Sequence, residues 1–366
     1  MKNPIPRPEI SNLPPVHHGA FDFAELERIG LRPEDVIDFS VNSNHYGPSP
    51  AVIQAITQVD LDCYPDREAL ALRRAISAHL DAPIEKILIG NGAAELLWLL
   101  ALAYLRAGDR VLILAPTFGE YANVAALMGA EVETWFARSE QDFAFVPDEI
   151  ATQLKEVNYR LVFLCNPNNP TGQALSVEVL ANWAKNHPET LFVVDEAYLS
   201  FVEGMESCIG LGLSNVLILR SMTKDYALAG LRLGYTVGSV DVIQTLARVR
   251  PPWSVNALAQ AAGVAALSDQ VYLQASLRKI WDEKDALVRG LCELGLSPLP
   301  SLTHFFVMSV GDGAAFRRAL LTKGLQVRDC ASFGLPAYAR IATRSTEENQ
   351  RLLTAIEVIA QNSMEK

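Results

Sequence analysis

Five short apolar runs, four of them closed by polar turn-forming residues, constrain this chain more than any other feature. They are residues 110–114 (RVLIL), 161–164 (LVFL), 191–194 (LFVV), 216–219 (VLIL) and 233–237 (LGYTV). Their apolarity is continuous rather than alternating, which marks strands covered on both faces, as in a mostly parallel sheet. Helix-like segments separate them. One of these, residues 176–186, opens on Ser176, a residue type that caps helix N-termini. Such alternation predicts an α/β fold. Open parallel sheets bind ligands at the carboxyl ends of their strands. RVLIL runs into APTFGEY, LVFL into CNPNNPTG, LFVV into DEAY and VLIL into RSMTK. Four such endings place one site along one edge of the sheet.

The chain has 366 residues, more than the roughly 250–300 that a single core holds, so a large and a smaller domain are expected. The pattern changes after Pro251-Pro252. A long helix is expected over 255–294. Beyond it come strand-like FFVMSV (305–310), a helix over 314–323, strand-like LQVRDC and YARIATR, and a last helix from Glu347. This reads as a smaller α+β domain. The expected division is an N-terminal segment, 1–48, packing with the small domain; a large domain, 49–252; and a connecting helix with the small domain, 253–366.

The formal charge of −11 counts against nucleic acid and anionic membranes as partners, since both recruit basic surfaces. The longest apolar run, 96–105, is shorter than the ~20 residues of a membrane helix and predicts a buried one. The opening residues lack the apolar core of a secretory signal. Five cysteines are scattered without zinc-like spacing, so free thiols, no metal and a cytoplasmic location are expected.

The chemistry-bearing residues sit at the strand ends. Lys224 closes Arg220-Ser221-Met222-Thr223-Lys224. An ordinary lysine has a pKa of ~10.4 and is charged at neutral pH. Desolvation beside other cations lowers that value and makes the amine a nucleophile toward an aldehyde. Ser221 and Arg232 flank it at spacings that allow both to hold a phosphate. Asp195, after a purely hydrophobic run, is a carboxylate that is costly to bury unless paired. Tyr198 lies three residues on. Residues 166–172 (NPNNPTG) form a rigid loop, with φ set by prolines and amides supplied by asparagines. Gly90-Asn91-Gly92-Ala93-Ala94-Glu95 opens a helix, where small residues let backbone N–H groups approach a phosphate. Phe118 offers a face for stacking on a flat ring.

The order GNGAAE, PTFGEY, NPNNPTG, DEAY, SMTK and GLRLGY resembles the class I/II aminotransferases, enzymes of fold-type I that use pyridoxal 5'-phosphate (PLP). The resemblance covers nearly the whole chain. It implies a large domain with a mostly parallel seven-stranded sheet covered by helices, plus a smaller α+β domain. By it, Lys224 is the Schiff-base lysine, Asp195 pairs with the pyridine nitrogen and keeps the ring electron-withdrawing, and Asn169 and Tyr198 hold the phenolate oxygen. Phe118 stacks on the ring, while Ala93, Ala94, Ser221, Thr223 and Arg232 hold the phosphate. Tyr64 resembles a tyrosine that reaches the phosphate from a neighbouring subunit, which implies a homodimer. Arg340 matches the arginine that forks onto a substrate carboxylate. Strand alternation puts Arg344 on the same face, and Arg328 is placed to bind a second anion.

Within that family two branches compete, both acting on small phosphorylated amino compounds. Three stretches look like L-threonine-O-3-phosphate decarboxylases of cobalamin biosynthesis: His18-Gly19 ahead of DFSVNSN (38–44), PWSVNA (252–257), and RDCASF with YARIATRS. They make His18 and Asn44 candidate substrate contacts and favour the decarboxylase over histidinol-phosphate aminotransferase. The chain departs from that pattern at Ala20-Phe21 and at His45. A further class, PLP-fold effectors of transcription regulators, carries a DNA-binding module. The first 48 residues are short and not basic, and an enzyme is expected.

Overall fold

The computed structural model describes residues 4–11, 13 and 19–364. Its strands in chain order are β1 (Ile37–Asp38), β2 (Ile87–Asn91), β3 (Arg110–Ala115), β4 (Glu131–Phe136), β5 (Leu161–Cys165), β6 (Leu191–Asp195), β7 (Val216–Ser221), β8 (Leu233–Val237), β9 (Phe305–Ser309), β10 (Leu325–Gln326), β11 (Arg328–Asp329) and β12 (Tyr338–Ala342). Seven of them form one sheet in the order β2-β8-β7-β6-β5-β3-β4. All its pairings are parallel except those of β8, which runs against both β2 and β7. This is the expected α/β fold-type I architecture. A run such as LGYTV is buried along its whole length whichever way it points, so its sequence carries no sign of direction.

Helices cover both faces of the sheet. The helix Gly92–Tyr104 buries Leu96, Leu97, Leu99 and Leu100 against strand residues that include Val111 and Leu219. Each such leucine contributes roughly 1.5–3 kcal/mol through burial. Ser176 does cap its helix, Val177–Asn186, by accepting from the Val179 amide. The single helix expected over 255–294 is two, Ala257–Ser268 and Gln270–Glu293. Asp269 ends the first and caps the second by accepting from the Tyr272 amide, because a short side-chain acceptor competes with the backbone for its donors. No helix among the described residues is long and apolar enough to cross a membrane.

A second, antiparallel sheet has the order β11-β12-β9. The N-terminal segment docks beside it through β1, which pairs in parallel with β10 in a separate two-stranded sheet. Phe39 is fully buried among Phe306, Leu325 and Ile341, while Leu26 and Val36 pack on Leu321. The segment leading out of β1, residues 40–44, therefore comes to the seven-stranded sheet already anchored on the smaller one.

Candidate active site

A cavity of about 1060 Å³ opens beside the carboxyl ends of β3, β5, β6 and β7, and its wall includes Phe118, Asn169, Tyr198 and Lys224. Hydrogen bonds lock the loops after these strands together. Asn168 donates to the Pro116 carbonyl and to Thr171 Oγ1, and accepts from Thr117 Oγ1. The loops after β3 and β5 thus hold each other. Glu196 and Arg220, at the ends of β6 and β7, form a buried ion pair at 2.9 Å, and Glu196 also accepts from Ser207 and the Cys208 amide. A paired, fully bonded carboxylate is a tolerable burial. The pair fixes the strand ends that carry Asp195 and Lys224.

Asp195 is buried and forms no ion pair among the described residues. Its Oδ2 accepts from Tyr121 Oη at 2.7 Å and its Oδ1 from the Ala197 amide at 3.0 Å. Burial pushes the carboxyl above its usual range, against the pull of Tyr121, Ala197 and Lys224. A protonated ring nitrogen is the kind of partner such a carboxylate lacks. Lys224 answers to the opposite signs. Burial, then Arg340 and Arg232, push its amine down to about 8, while Asp195 pulls upward.

The other end of the cavity has the form of a phosphate cradle. Gly92, at φ +73°, starts the helix Gly92–Tyr104, and a Cβ there would lie 2.9 Å from Arg232 Nη2. A Cβ on Gly234 would meet the Ala93 amide nitrogen at 2.7 Å. These two glycines let β8 and Arg232 close onto the start of that helix, at Gly92 and the Ala93 amide. Ser221 Oγ and Thr223 Oγ1 lie 2.7 Å apart, both buried. The helix start, two hydroxyls and a guanidinium are a donor set suited to a phosphate dianion.

The small sheet supplies the anion side. Arg340 on β12 is buried beneath the cavity, its guanidinium 5.6 Å above the Phe305 ring. It donates to Asn169 Oδ1 and to the Ser40 carbonyl, and its Nε has no hydrogen-bond partner. Arg328 also lines the cavity and donates to Ser332 Oγ at 2.6 Å.

Two expected contacts, Arg344 and Asn44, fall elsewhere. Arg344 is two residues past the end of β12, so strand alternation no longer governs it. It pairs with Glu348 and donates to the Asp38 carbonyl. Asn44 is used up structurally, donating to the Asp225 carbonyl and Ser276 and accepting from the Tyr46 amide. Asn42 lines the cavity instead, with its side-chain amide beside Tyr198. Tyr64 is 82% exposed, stacks on Trp253 at 4.8 Å and is not part of the cavity wall. His18 lies outside the described residues. Tyr121 carries no mark of its role in the sequence, although it ends the same PTFGEY motif as Phe118. Asn42 sits two residues from Asn44 in the same stretch, and only the turn geometry separates their roles.

A fold-type I sheet, a buried lysine with a depressed pKa and an unpaired buried aspartate at adjoining strand ends define a PLP-dependent enzyme. The chain belongs to the aminotransferase class I and II family, whose profile matches residues 34–356. It is 36% identical to the histidinol-phosphate aminotransferase of Moorella thermoacetica over 90% of this chain and 86% of that protein. The structure of histidinol-phosphate aminotransferase from Sinorhizobium meliloti in complex with PLP superposes with a TM-score of 0.87, at 28% identity and 97% coverage of both chains. L-threonine-O-3-phosphate decarboxylase from Porphyromonas gingivalis superposes with a TM-score of 0.79, at 28% identity, covering 88% of this chain and 99% of that one. The cofactor of this enzyme is pyridoxal 5'-phosphate, and the donor set described above fits it.

Proposed function

We propose that this enzyme transfers the amino group of a small phosphorylated amine, with histidinol phosphate as the donor. The observation that carries the anionic substrate is Arg340. A buried guanidinium Nε without a partner, in the same cavity as Lys224, is a donor reserved for an incoming anion. Relatives 36–38% identical over 88–90% of the chain, named for histidinol phosphate, support that donor over the threonine phosphate favoured by the sequence stretches.

Bound PLP supplies an aldehyde for Lys224 and an electron-withdrawing ring. In this reading Asp195 holds the ring nitrogen, oriented by Tyr121, while Asn169 and Tyr198 hold the ring oxygen and Phe118 covers its face. Ala93, Ala94, Ser221, Thr223 and Arg232 hold the phosphate. Arg340 anchors the substrate anion, and Lys224 Nζ accepts and returns the proton at the substrate α-carbon. An amine titrating near pH 8 is well matched to that exchange. Tyr64, exposed and remote from its own cavity wall, serves the site of a second subunit in a homodimer.

One observation favours decarboxylation as a second reading. Arg340 and Arg328 together suit a substrate with two anionic groups, such as threonine phosphate. The same pair also suits the two carboxylates of glutamate, the product of amino transfer to 2-oxoglutarate. A paired assay separates the readings: glutamate formed from histidinol phosphate and 2-oxoglutarate, against carbon dioxide released from threonine phosphate. Amino transfer without carbon dioxide is expected, and the reverse overturns the proposal.

The Lys224 environment makes a separate prediction. Only the neutral amine attacks an aldehyde, so PLP capture by the apoenzyme should rise with pH through about 8 and level off above it. The rate at which visible absorbance appears, followed across pH, checks this. A midpoint near the ordinary lysine value of ~10.4 would show an unperturbed amine.

A further inference from the structure

Asp225, the residue after Lys224, is 8% exposed and forms no ion pair among the described residues. Arg220, the cation that acts on it, is paired with Glu196. Burying a carboxylate without an ion pair is costly, which makes Asp225 a poor choice for packing alone. Its Oδ2 accepts from Ser200 Oγ at 2.7 Å and its Oδ1 from the Tyr226 amide at 2.9 Å. Burial pushes the carboxyl up to about 6, against the pull of these two bonds. At pH 8, where the Lys224 amine titrates, both oxygens are therefore acceptors. Ser200 lies in the loop after β6, two residues past Tyr198. Trp281 Nε1 ties that loop to the helix Gln270–Glu293 by donating to the Phe201 carbonyl at 2.8 Å. On the other side, the Asn44 amide donates to the Lys224 carbonyl at 2.9 Å and its Nδ2 to the Asp225 carbonyl at 3.0 Å. The peptide that carries Lys224 is thus held between the loop of Tyr198 and the segment leaving β1, and the Asp225 side chain makes the join to the first.

We propose that Asp225 is a positioning residue: through Ser200 it fixes the Lys224 backbone against the Tyr198 loop, and so sets where the Lys224 amine meets the PLP aldehyde. A reacting group displaced from its near-attack position by about 1 Å loses up to about 100-fold in rate. Asp225 acts in this way only if Lys224 is the lysine that captures PLP, whichever substrate the enzyme takes. It is not among the groups that shift the Lys224 amine, so its effect is on place and not on basicity.

The test is the rate of PLP capture by the apoenzyme across pH, read from the visible absorbance as a plateau rate and a midpoint. Asp225→Ala should lower the plateau by about 10–100-fold and leave the midpoint near 8. Asp225→Asn can keep both bonds, its amide oxygen accepting from Tyr226 and its NH₂ donating to Ser200. Its plateau should stay within about fivefold of the wild type, the difference between a charged and a neutral hydrogen bond. Ser200→Ala should slow capture as well, and the double variant Asp225→Ala with Ser200→Ala should be no slower than Asp225→Ala alone, because the two residues share one contact. An unchanged plateau in Asp225→Ala overturns the proposal. So does an equal loss in Asp225→Asn, which would assign the effect to charge. A midpoint moved to the ordinary lysine value of ~10.4 also overturns it, since the site would then have opened to water. Lys224→Ala separates the two readings. Capture that persists there removes the role of Lys224 and that of Asp225 with it, whereas capture lost there but unchanged in Asp225→Ala removes only the second.

Discussion

Lys224→Ala should give a protein that binds PLP without the visible absorbance of the lysine-bound cofactor and turns over about 10⁴-fold more slowly, since one group serves as both nucleophile and proton carrier. Spectrophotometry of the reconstituted protein and steady-state kinetics check the two halves separately. The fold should survive. The Lys224 carbonyl, which accepts from the Asn44 and Ala227 amides, is kept by alanine. A lysine whose folded pKa lies below its unfolded value costs stability at any pH where the unfolded amine is charged, and most below the folded value of about 8. Removing it should therefore leave the melting temperature of the apoenzyme at pH 7 unchanged or raised. A lower value would mean that the amine holds the loop together, and the loss of turnover could not then be assigned to chemistry.

Arg340→Met should lower kcat/KM by about 10²–10⁴-fold, the loss of two hydrogen bonds to an anion at roughly 1.5–3 kcal/mol each. Cofactor absorbance should remain, because of the proposed PLP contacts only Asn169 is hydrogen-bonded to Arg340, and Lys224, Asp195 and the phosphate donors are kept. Arg340→Lys should recover little, since a point charge does not reproduce a planar fork. Stability should fall as well. Asn169 Oδ1 and the Ser40 carbonyl lose their Arg340 donor, and each buried acceptor left unsatisfied costs about 1–3 kcal/mol. Denaturant titration beside the kinetics separates the two effects. A loss of kcat/KM below about tenfold would remove Arg340 from substrate binding.

Much of this site is legible in the sequence because its residues sit at the ends of strands that announce themselves. β3, β5, β6 and β7 are continuous apolar runs, and the loop after each of them enters the site. Two strands of the same sheet leave weaker marks. β4 is partly exposed, with only Trp135 buried, as suits an edge strand. β2 merges into the Gly90–Gly92 turn, whose glycines signal the helix start instead. Tyr121 is hidden for a related reason: an aromatic on a buried helix face reads as core. Only the stacking on Phe163, at 5.2 Å, brings its hydroxyl to Asp195.

The substrate side is less legible because its geometry belongs to no single element. Strand alternation puts Arg344 on the Arg340 face only if β12 is extended two residues too far, and Glu348, at the start of the last helix, claims it. Asn42 and Asn44 are interchangeable in composition. The chain turns between them, and the Ser276 hydroxyl on the helix Gln270–Glu293 takes one while the cavity keeps the other.

The sequence by itself determined the α/β fold, the cofactor class and the order of motifs along the sheet edge, because strand burial and loop chemistry are local properties written in consecutive residues. Tertiary structure alone decided the antiparallel turn of β8, the pairing of Tyr121 with Asp195 and the depressed pKa of Lys224. It also decided which arginine and which asparagine face the cavity. Each of these depends on desolvation or on contacts between residues far apart in the chain, and no local pattern encodes them.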